Sequence, residues 1–279
     1  MPMSEVLLDS LIDSLKVVAI FFLVNVLLGA IESKLSKVLE KSKGLSPIIG
    51  GAVGLIPQCG FSAATANLYA GGIITRGTML AVFLSTSDEM LPILISSSAP
   101  ASLIFKLLGY KVLAGIVIGV AVDTVAAKLG YVRNKSIHEM CEQEHCHCED
   151  GMFKSALRHT VKIFLFLFIV TFALNLLVEA VGTDKLGAFV LNRPVAGELL
   201  GGIIGLIPNC AASVVLTTLY LEGAMSGGAM LSGLLVGSGV GLLVLFRMNR
   251  DWRDNLVTVG LLYAGGVIFG LLADVLHVV

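Results

Sequence analysis

The sequence predicts an all-α polytopic membrane protein, an inverted-topology repeat of six transmembrane helices plus two re-entrant helical hairpins, ten helical elements in all. Three observations predict it. Of 279 residues, 56% are apolar and only 14% charged, against about 25% charged in an ordinary soluble domain, and mean hydropathy is +0.92. Apolar stretches close to the length of a membrane span recur along the whole chain between short charged segments, which leaves no room for a sizeable soluble domain. The two halves of the chain also repeat one another. Gly is abundant (31), Trp occurs once and no long alternation of apolar and polar residues appears, which argues against an outer-membrane barrel.

The first apolar stretch, Leu15 to Ile31, follows Glu5, Asp9 and Asp13. It lacks a basic leader region and a small-residue cleavage site, so it reads as a retained helix. The repeat begins after it. Gly50-Gly51-Ala52-Val53-Gly54-Leu55-Ile56-Pro57-Gln58-Cys59 returns as Gly201-Gly202-Ile203-Ile204-Gly205-Leu206-Ile207-Pro208-Asn209-Cys210, each residue 151 positions on. At the same offset Ser62 matches Ser213, Leu68-Tyr69 matches Leu219-Tyr220, Gly72 matches Gly223, and Gly77, Met79 and Leu80 match Gly228, Met230 and Leu231. Each half adds an upstream helix (Leu15 to Ile31; Val161 to Val178) and two downstream ones (Met79 to Ile95 and Val112 to Leu129; Ala229 to Phe246 and Leu256 to Leu276). The units are residues 1–130 and 158–279, joined by an acidic Cys/His-rich loop over 131–157.

Leu45 to Ile56 makes only about 18 Å of helix, too short for a hydrocarbon core of about 30 Å. Pro57 separates it from a second short piece, Gly60 to Gly71. The pair is either a broken span or a re-entrant hairpin, and the distribution of positive charge favours the hairpin. With three crossings per half, one side collects Lys34, Lys37, Lys41, Lys43, Arg76, Lys128, Arg133, Lys135, Lys154, Arg158, Arg247, Arg250 and Arg253. The other keeps Lys106, Lys111, Lys185 and Arg193. An odd number of crossings inserts the second copy upside down. This topology puts the Cys/His loop in the cytoplasm, both termini outside, and the protein in the inner membrane.

Inverted repeats place substrate near the midplane, where broken helices present free backbone groups and half-helix dipoles. The hairpin tips make Gln58, Cys59, Ser62, Asn209, Cys210 and Ser213 the candidate substrate ligands. Pro kinks and small buried Cys and Ser also serve helix packing, but the same Pro-amide-Cys order at both tips favours binding. Leu84-Ser85-Thr86-Ser87-Asp88-Glu89-Met90-Leu91-Pro92 carries two adjacent acids inside an apolar stretch, where the repeat has Gly239 and Val240. A carboxylate facing lipid costs at least ~3 kcal/mol. No Lys or Arg falls in the middle of a predicted helix to neutralise the pair, so Asp88 and Glu89 read as coupling residues, about 100° apart on one helix. Asp123 is a third intramembrane acid, equally suited to coupling or to an interhelical hydrogen bond, as are the amides Asn25 and Asn175.

In the polar loop, His138, Cys141, His145, Cys146, His147 and Cys148 stand among Glu139, Glu142, Glu144, Glu149 and Asp150. Thiolate and imidazole at this density suit zinc, copper(I) or another soft or borderline ion, although the spacing matches no closed finger. A disordered acidic loop is the alternative. No cofactor is required; a soft or divalent ion such as zinc or manganese is expected as substrate or loop ligand.

These residues resemble the heavy-metal exporter permeases described as having ten membrane elements, whose members carry the labels arsenic efflux protein or manganese transporter. The likeness covers nearly the whole chain and rests on Pro57-Gln58-Cys59-Gly60-Phe61-Ser62, on Ser85-Thr86-Ser87-Asp88-Glu89-Met90-Leu91-Pro92, on Ile207-Pro208-Asn209-Cys210 and on the Cys/His loop. It implies an ion or metalloid transporter. The expected function is thus a secondary transporter, a proton-coupled exporter of a heavy-metal ion or metalloid. The alternative is a divalent-cation channel or carrier, for manganese or zinc, that uses Asp88 and Glu89. A membrane-embedded thiol enzyme is disfavoured because neither Cys59 nor Cys210 has a Cys-x-x-Cys partner. No Walker A pattern marks an ATP-driven pump. The expected partners are the lipid bilayer and a small inorganic ion. A net charge of -1 without a basic tract offers nucleic acid no surface, and a homo-oligomer is compatible with the sequence.

Overall fold

The computed structural model describes residues 46–55, 59–87, 90–130, 195–208 and 210–278, together with Val161, Leu165, Phe168 and Ile169. The described residues form helices and turns without a strand. The first half contributes α1 (Ser46–Val53), α2 (Cys59–Ala70), α3 (Arg76–Ser85), α4 (Met90–Ser96) and α5 (Ala101–Lys128). The second contributes α6 (Ala196–Gly205), α7 (Cys210–Leu221), α8 (Gly227–Val236), α9 (Gly241–Met248) and α10 (Trp252–Val275). Among the described residues four segments are long and apolar enough to cross a membrane: Arg76–Ser96, Ala101–Lys128, Gly227–Met248 and Trp252–Val275. The expected opening helices, Leu15 to Ile31 and Val161 to Val178, fall wholly or largely outside the described residues.

The local devices recur at the offset seen in the sequence. Gly72 (φ 74) and Gly223 (φ 72) lie in the left-handed region, which glycine enters without steric cost. Each ends its helix in the same way. The Ile73 amide donates to the Leu68 carbonyl and Gly72 to Tyr69, while Ala224 donates to Leu219 and Gly223 to Tyr220, all at 2.9 to 3.0 Å. This is the paired bonding of a Schellman cap. The hydroxyls of Thr75 and Ser226 then cap α3 and α8 by accepting the Thr78 and Ala229 amides, each at 3.1 Å.

Two expectations need correction. Met79 to Ile95 and Ala229 to Phe246 were each expected as one helix, and the structure breaks both. Helix α3 stops at Ser85, with Thr86 extended at φ -59, ψ 131. Helix α8 stops at Val236, with Gly237 at φ -66, ψ 91. The Ser85 and Thr86 hydroxyls fold back onto the Ala81 and Val82 carbonyls, both at 2.7 Å, a local competition that loosens a helix end. The helix expected from Val112 begins instead at Ala101 and runs 28 residues, about 42 Å. Lys106 and Lys111, expected in a loop, are therefore helical.

Close packing depends on glycine. At Gly119 of α5 a Cβ would stand 2.6 Å from the Gly77 carbonyl, and at Gly270 of α10 it would stand 2.7 Å from that of Gly228. Lipid offers little hydrophobic drive for helices to associate, so such small-residue contacts carry the packing. Among the described residues the core forms two clusters, each mixing the halves. Tyr69, Met79, Leu80 and Phe83 pack with Leu242, Val244 and Leu245 of α9. Met90, Leu94 and Leu107 pack with Leu216 of α7 and Met230, Leu231 and Leu234 of α8. Each short helix after a break is thereby set against the other half.

Candidate functional site

The two breaks meet the end of α6 and the start of α7 around a cavity of ≈ 20 Å³, room for about one water. Its polar wall is Thr86 and Ser87 from the α3 break, Ser213 from the first turn of α7, and Lys111 from α5. Met90, Ala212 and Leu234 supply apolar wall, and Gly205, Gly233, Gly237 and Gly239 let backbone close the rest. Five helix termini therefore converge on this point: the C-terminal ends of α3, α6 and α8 and the N-terminal ends of α4 and α7. Half-helix ends of this kind offer the free backbone groups that an ion or polar solute can use inside a membrane.

Of the six expected substrate ligands, Ser213 lines the cavity. Ser62 is fully buried and lies 3.3 Å from the Thr86 hydroxyl, so Thr86 links α2 to the cavity wall. Cys59 and Cys210 are the first residues of α2 and α7. Gln58 and Asn209 lie outside the described residues. So do Asp88 and Glu89, but their chain neighbours Ser87 and Met90 both line the cavity. Because α3 ends at Ser85, the helix expected to carry them does not run unbroken from Met79 to Ile95. The expected loop ligands His138, Cys141, His145, Cys146, His147 and Cys148 also lie outside the described residues. Among the described residues no cluster of three or more His, Cys, Asp or Glu could hold a metal.

Asp123 does not line the cavity. It accepts the Gly77 amide at 2.9 Å and the Thr75 hydroxyl at 2.6 Å, tying α5 to the start of α3. Asp274, 151 residues on, accepts the Gly228 amide at 2.5 Å in the same manner. The buried carboxyl of Glu198, 1% exposed, lies beside Asp274.

Sequence reasoning missed Lys111. The expectation that no lysine or arginine sits centrally in a helix is overturned: Lys111 is 1% exposed, and its Nζ donates to the Leu234 carbonyl of α8. Its neighbours Lys106, Gly109 and Tyr110 dilute local hydropathy, which put the helix start in the wrong place. A second missed group is the polar cluster on Asp254, at the start of α10. Asp254 pairs with Arg76 of α3. It also receives the Tyr69 hydroxyl at 2.9 and 3.0 Å and the Asn249 amide at 2.7 Å. The offset would replace Arg76 by Gly227 and Asp254 by Leu103, so this tie between the halves has no twin.

A family model described as "Putative, 10TM heavy-metal exporter" matches residues 3–197. No curated protein and no solved structure shows significant similarity.

Proposed function

The chain belongs to the 10TM heavy-metal exporter family, and on that premise we propose that it is a secondary transporter that exports a heavy-metal ion by exchange with protons. The observation that carries the reading is the cavity. It lies where both broken helices meet a hairpin tip, with Ser87 and Met90 flanking the acidic pair.

Contacts along α10 support the inverted arrangement. Arg76, the first residue of α3, meets Asp254 at one end of α10, whereas Gly228 at the start of α8 meets Asp274 at the other. Helices α3 and α8 thus start from opposite ends of one long helix. A re-entrant first hairpin has similar support. Its entry residue Pro47 lies at the level of Gly119 and Gly77, its turn residue Gly54 lies against Ser85, and its exit residue Tyr69 returns beside Arg76. Lys128, Arg247, Arg250 and Arg253 share the Arg76 end by sequence position, which favours a cytoplasmic placement for that end and for the loop that follows Gly130.

In this reading Asp88 and Glu89 carry coupling, because a carboxylate can exchange a proton for a cation. The Cys59 and Cys210 thiols and the Gln58 and Asn209 amides complete the substrate shell. The Cys/His loop serves as a cytoplasmic metal-collecting segment. The test is purified protein in liposomes with a pH dye inside, challenged with Mn²⁺, Zn²⁺ and arsenite. Saturable flux with opposed proton movement is expected for a metal ion. Asp88→Asn and Glu89→Gln should each abolish gradient-driven accumulation, with at least one retaining substrate exchange at equilibrium. Unsaturable, proton-independent conduction would make the protein a channel, and normal pumping by both variants would remove the acids from the mechanism.

A further inference from the structure

Glu198 sits in the first turn of α6, and the fold gives its carboxylate nothing to bond. The residue is 1% exposed, and neither side-chain oxygen has a hydrogen-bond partner; the Val195 and Glu198 amides lie close by without hydrogen-bond geometry. What it does have is a second acid, because the Asp274 carboxylate of α10 lies beside it. A bare carboxylate is costly to bury, and two side by side repel one another. Both are acceptors, so they can bond only through a proton held between them.

The first half shows the same place without this demand. At the offset of 151, Asp274 answers to Asp123 and Glu198 to Pro47. Asp123 has a donor at each oxygen, the Gly77 amide and the Thr75 hydroxyl, and Pro47 lies close to Gly119. Asp274 keeps the amide, from Gly228, but among the described residues no hydroxyl donates to it, and an acid stands in the place of Pro47. Helix α8, packed against both α6 and α10, brings the Ser232 hydroxyl, which donates to the Glu198 backbone carbonyl, and no ionisable side chain. Beyond it, α7 carries Tyr220, the link to α8 carries exposed Glu222, and the turn after α10 carries exposed His277; among the described residues it is Asp274 whose charge acts on Glu198. A hard divalent ion takes about six oxygen ligands, which two carboxyls alone do not supply. A proton needs only these two groups.

We propose that Glu198 carries a proton, donating it in a hydrogen bond to the Asp274 carboxylate, and that this pair is the station at which the coupling proton enters from the face of the membrane opposite Arg76. The inference rests on the proton exchange proposed above and names a site for its proton outside the metal cavity. Loading needs a route from water, and Asp274 supplies it, being half-buried and three residues from exposed His277. Delivery runs along α6: Gly205, seven residues on from Glu198 and about 10 Å along the helix, lines the cavity. A proton gained turns two repelling carboxylates into a bonded pair and draws the base of α6 onto α10; its loss releases that helix.

The test reads the carboxyl directly, by infrared difference spectroscopy of the full-length protein in detergent over a pH series. It compares the wild type with Glu198→Gln and with Asp274→Asn, which keeps an acceptor for the Gly228 amide. The wild type should show a protonated-carboxyl C=O band at neutral pH that Glu198→Gln lacks. Asp274→Asn should keep the band but lose it roughly one pH unit lower, because the neighbouring negative charge is gone. In liposomes, Mn²⁺ flux driven by a pH difference should fall at least tenfold in Glu198→Gln, whose amide holds the bonded state permanently. An unchanged band in Glu198→Gln overturns the inference, as does pH-driven flux within about twofold of the wild type in that variant. Should neither variant fold, the pair is a structural clamp and the inference falls. Failure of the underlying reading looks different, because the wild type itself then carries metal without proton movement, whatever the Glu198 band does.

Discussion

Replacing Asp254 by asparagine isolates the tie between the halves. The side chain is 3% exposed and its partner Arg76 16%, so neither charge is screened as a surface pair would be. Asp254 also accepts the Tyr69 hydroxyl and the Asn249 amide, while Tyr69 accepts Arg76 Nε at 3.2 Å. Asparagine keeps the shape and one acceptor oxygen, but it leaves the guanidinium buried opposite a neutral group. Breaking a buried pair in this way costs 3–5 kcal/mol, and the retained acceptor puts the expectation at about 3 kcal/mol. The partner substitution Arg76→Met removes the stranded charge, so the double variant should lose less than the two single losses combined. Neutral interhelical hydrogen bonds in membranes couple by only about 0.6 kcal/mol, at most about 1.7; a charged, multiply bonded pair should exceed that upper figure. Unfolding of the purified protein by a denaturing detergent, followed by circular dichroism, gives the four stabilities. A coupling of about 0.6 kcal/mol or less would refute the reasoning, because the cluster would then behave as an ordinary polar contact.

The Gly119→Ala and Gly109→Ala pair tests the helix-packing account in one melting experiment. At Gly119 the new methyl would stand 2.6 Å from the Gly77 carbonyl and 3.0 Å from the Ala81 and Pro47 Cβ atoms, an overpacking expected to cost 1–3 kcal/mol; at Gly109 nothing lies within 4 Å, and the change should stabilise by roughly 0.5–1 kcal/mol through helix propensity. Cys59→Ser and Cys210→Ser should each weaken substrate binding in liposomes more than Cys146→Ser does, and unaltered apparent affinity in both would make the two thiols packing residues. In intact cells carrying a protein that lacks Cys59 and Cys210, a membrane-impermeant thiol reagent should leave Cys141, Cys146 and Cys148 unmodified, and ready labelling would reverse the proposed orientation.

What could be read from the sequence divides along a physical line. Hydropathy reports burial in lipid, and a constant offset reports repetition, so the apolar helices and the matched pair Gly72 and Gly223 were visible before any coordinates, while the turns those glycines make were not. Partnership leaves a weaker mark. Asp123 looked like a solitary intramembrane acid, yet its bond to Gly77 is reproduced by Asp274 and Gly228, and the constant offset already contained both pairs. The breaks after Ser85 and Val236 also had signals, a run of hydroxyl residues in one half and Gly237-Ser238-Gly239 in the other. Continuous apolar flanks outweighed them, since an interrupted span is as hydrophobic as an intact one. Lys111 shows the limit most clearly. A lysine lowers local hydropathy equally whether it snorkels to the interface or is buried against a carbonyl from another helix, so the sequence places it at a helix end by default. Only the contact with Leu234 separates the two cases.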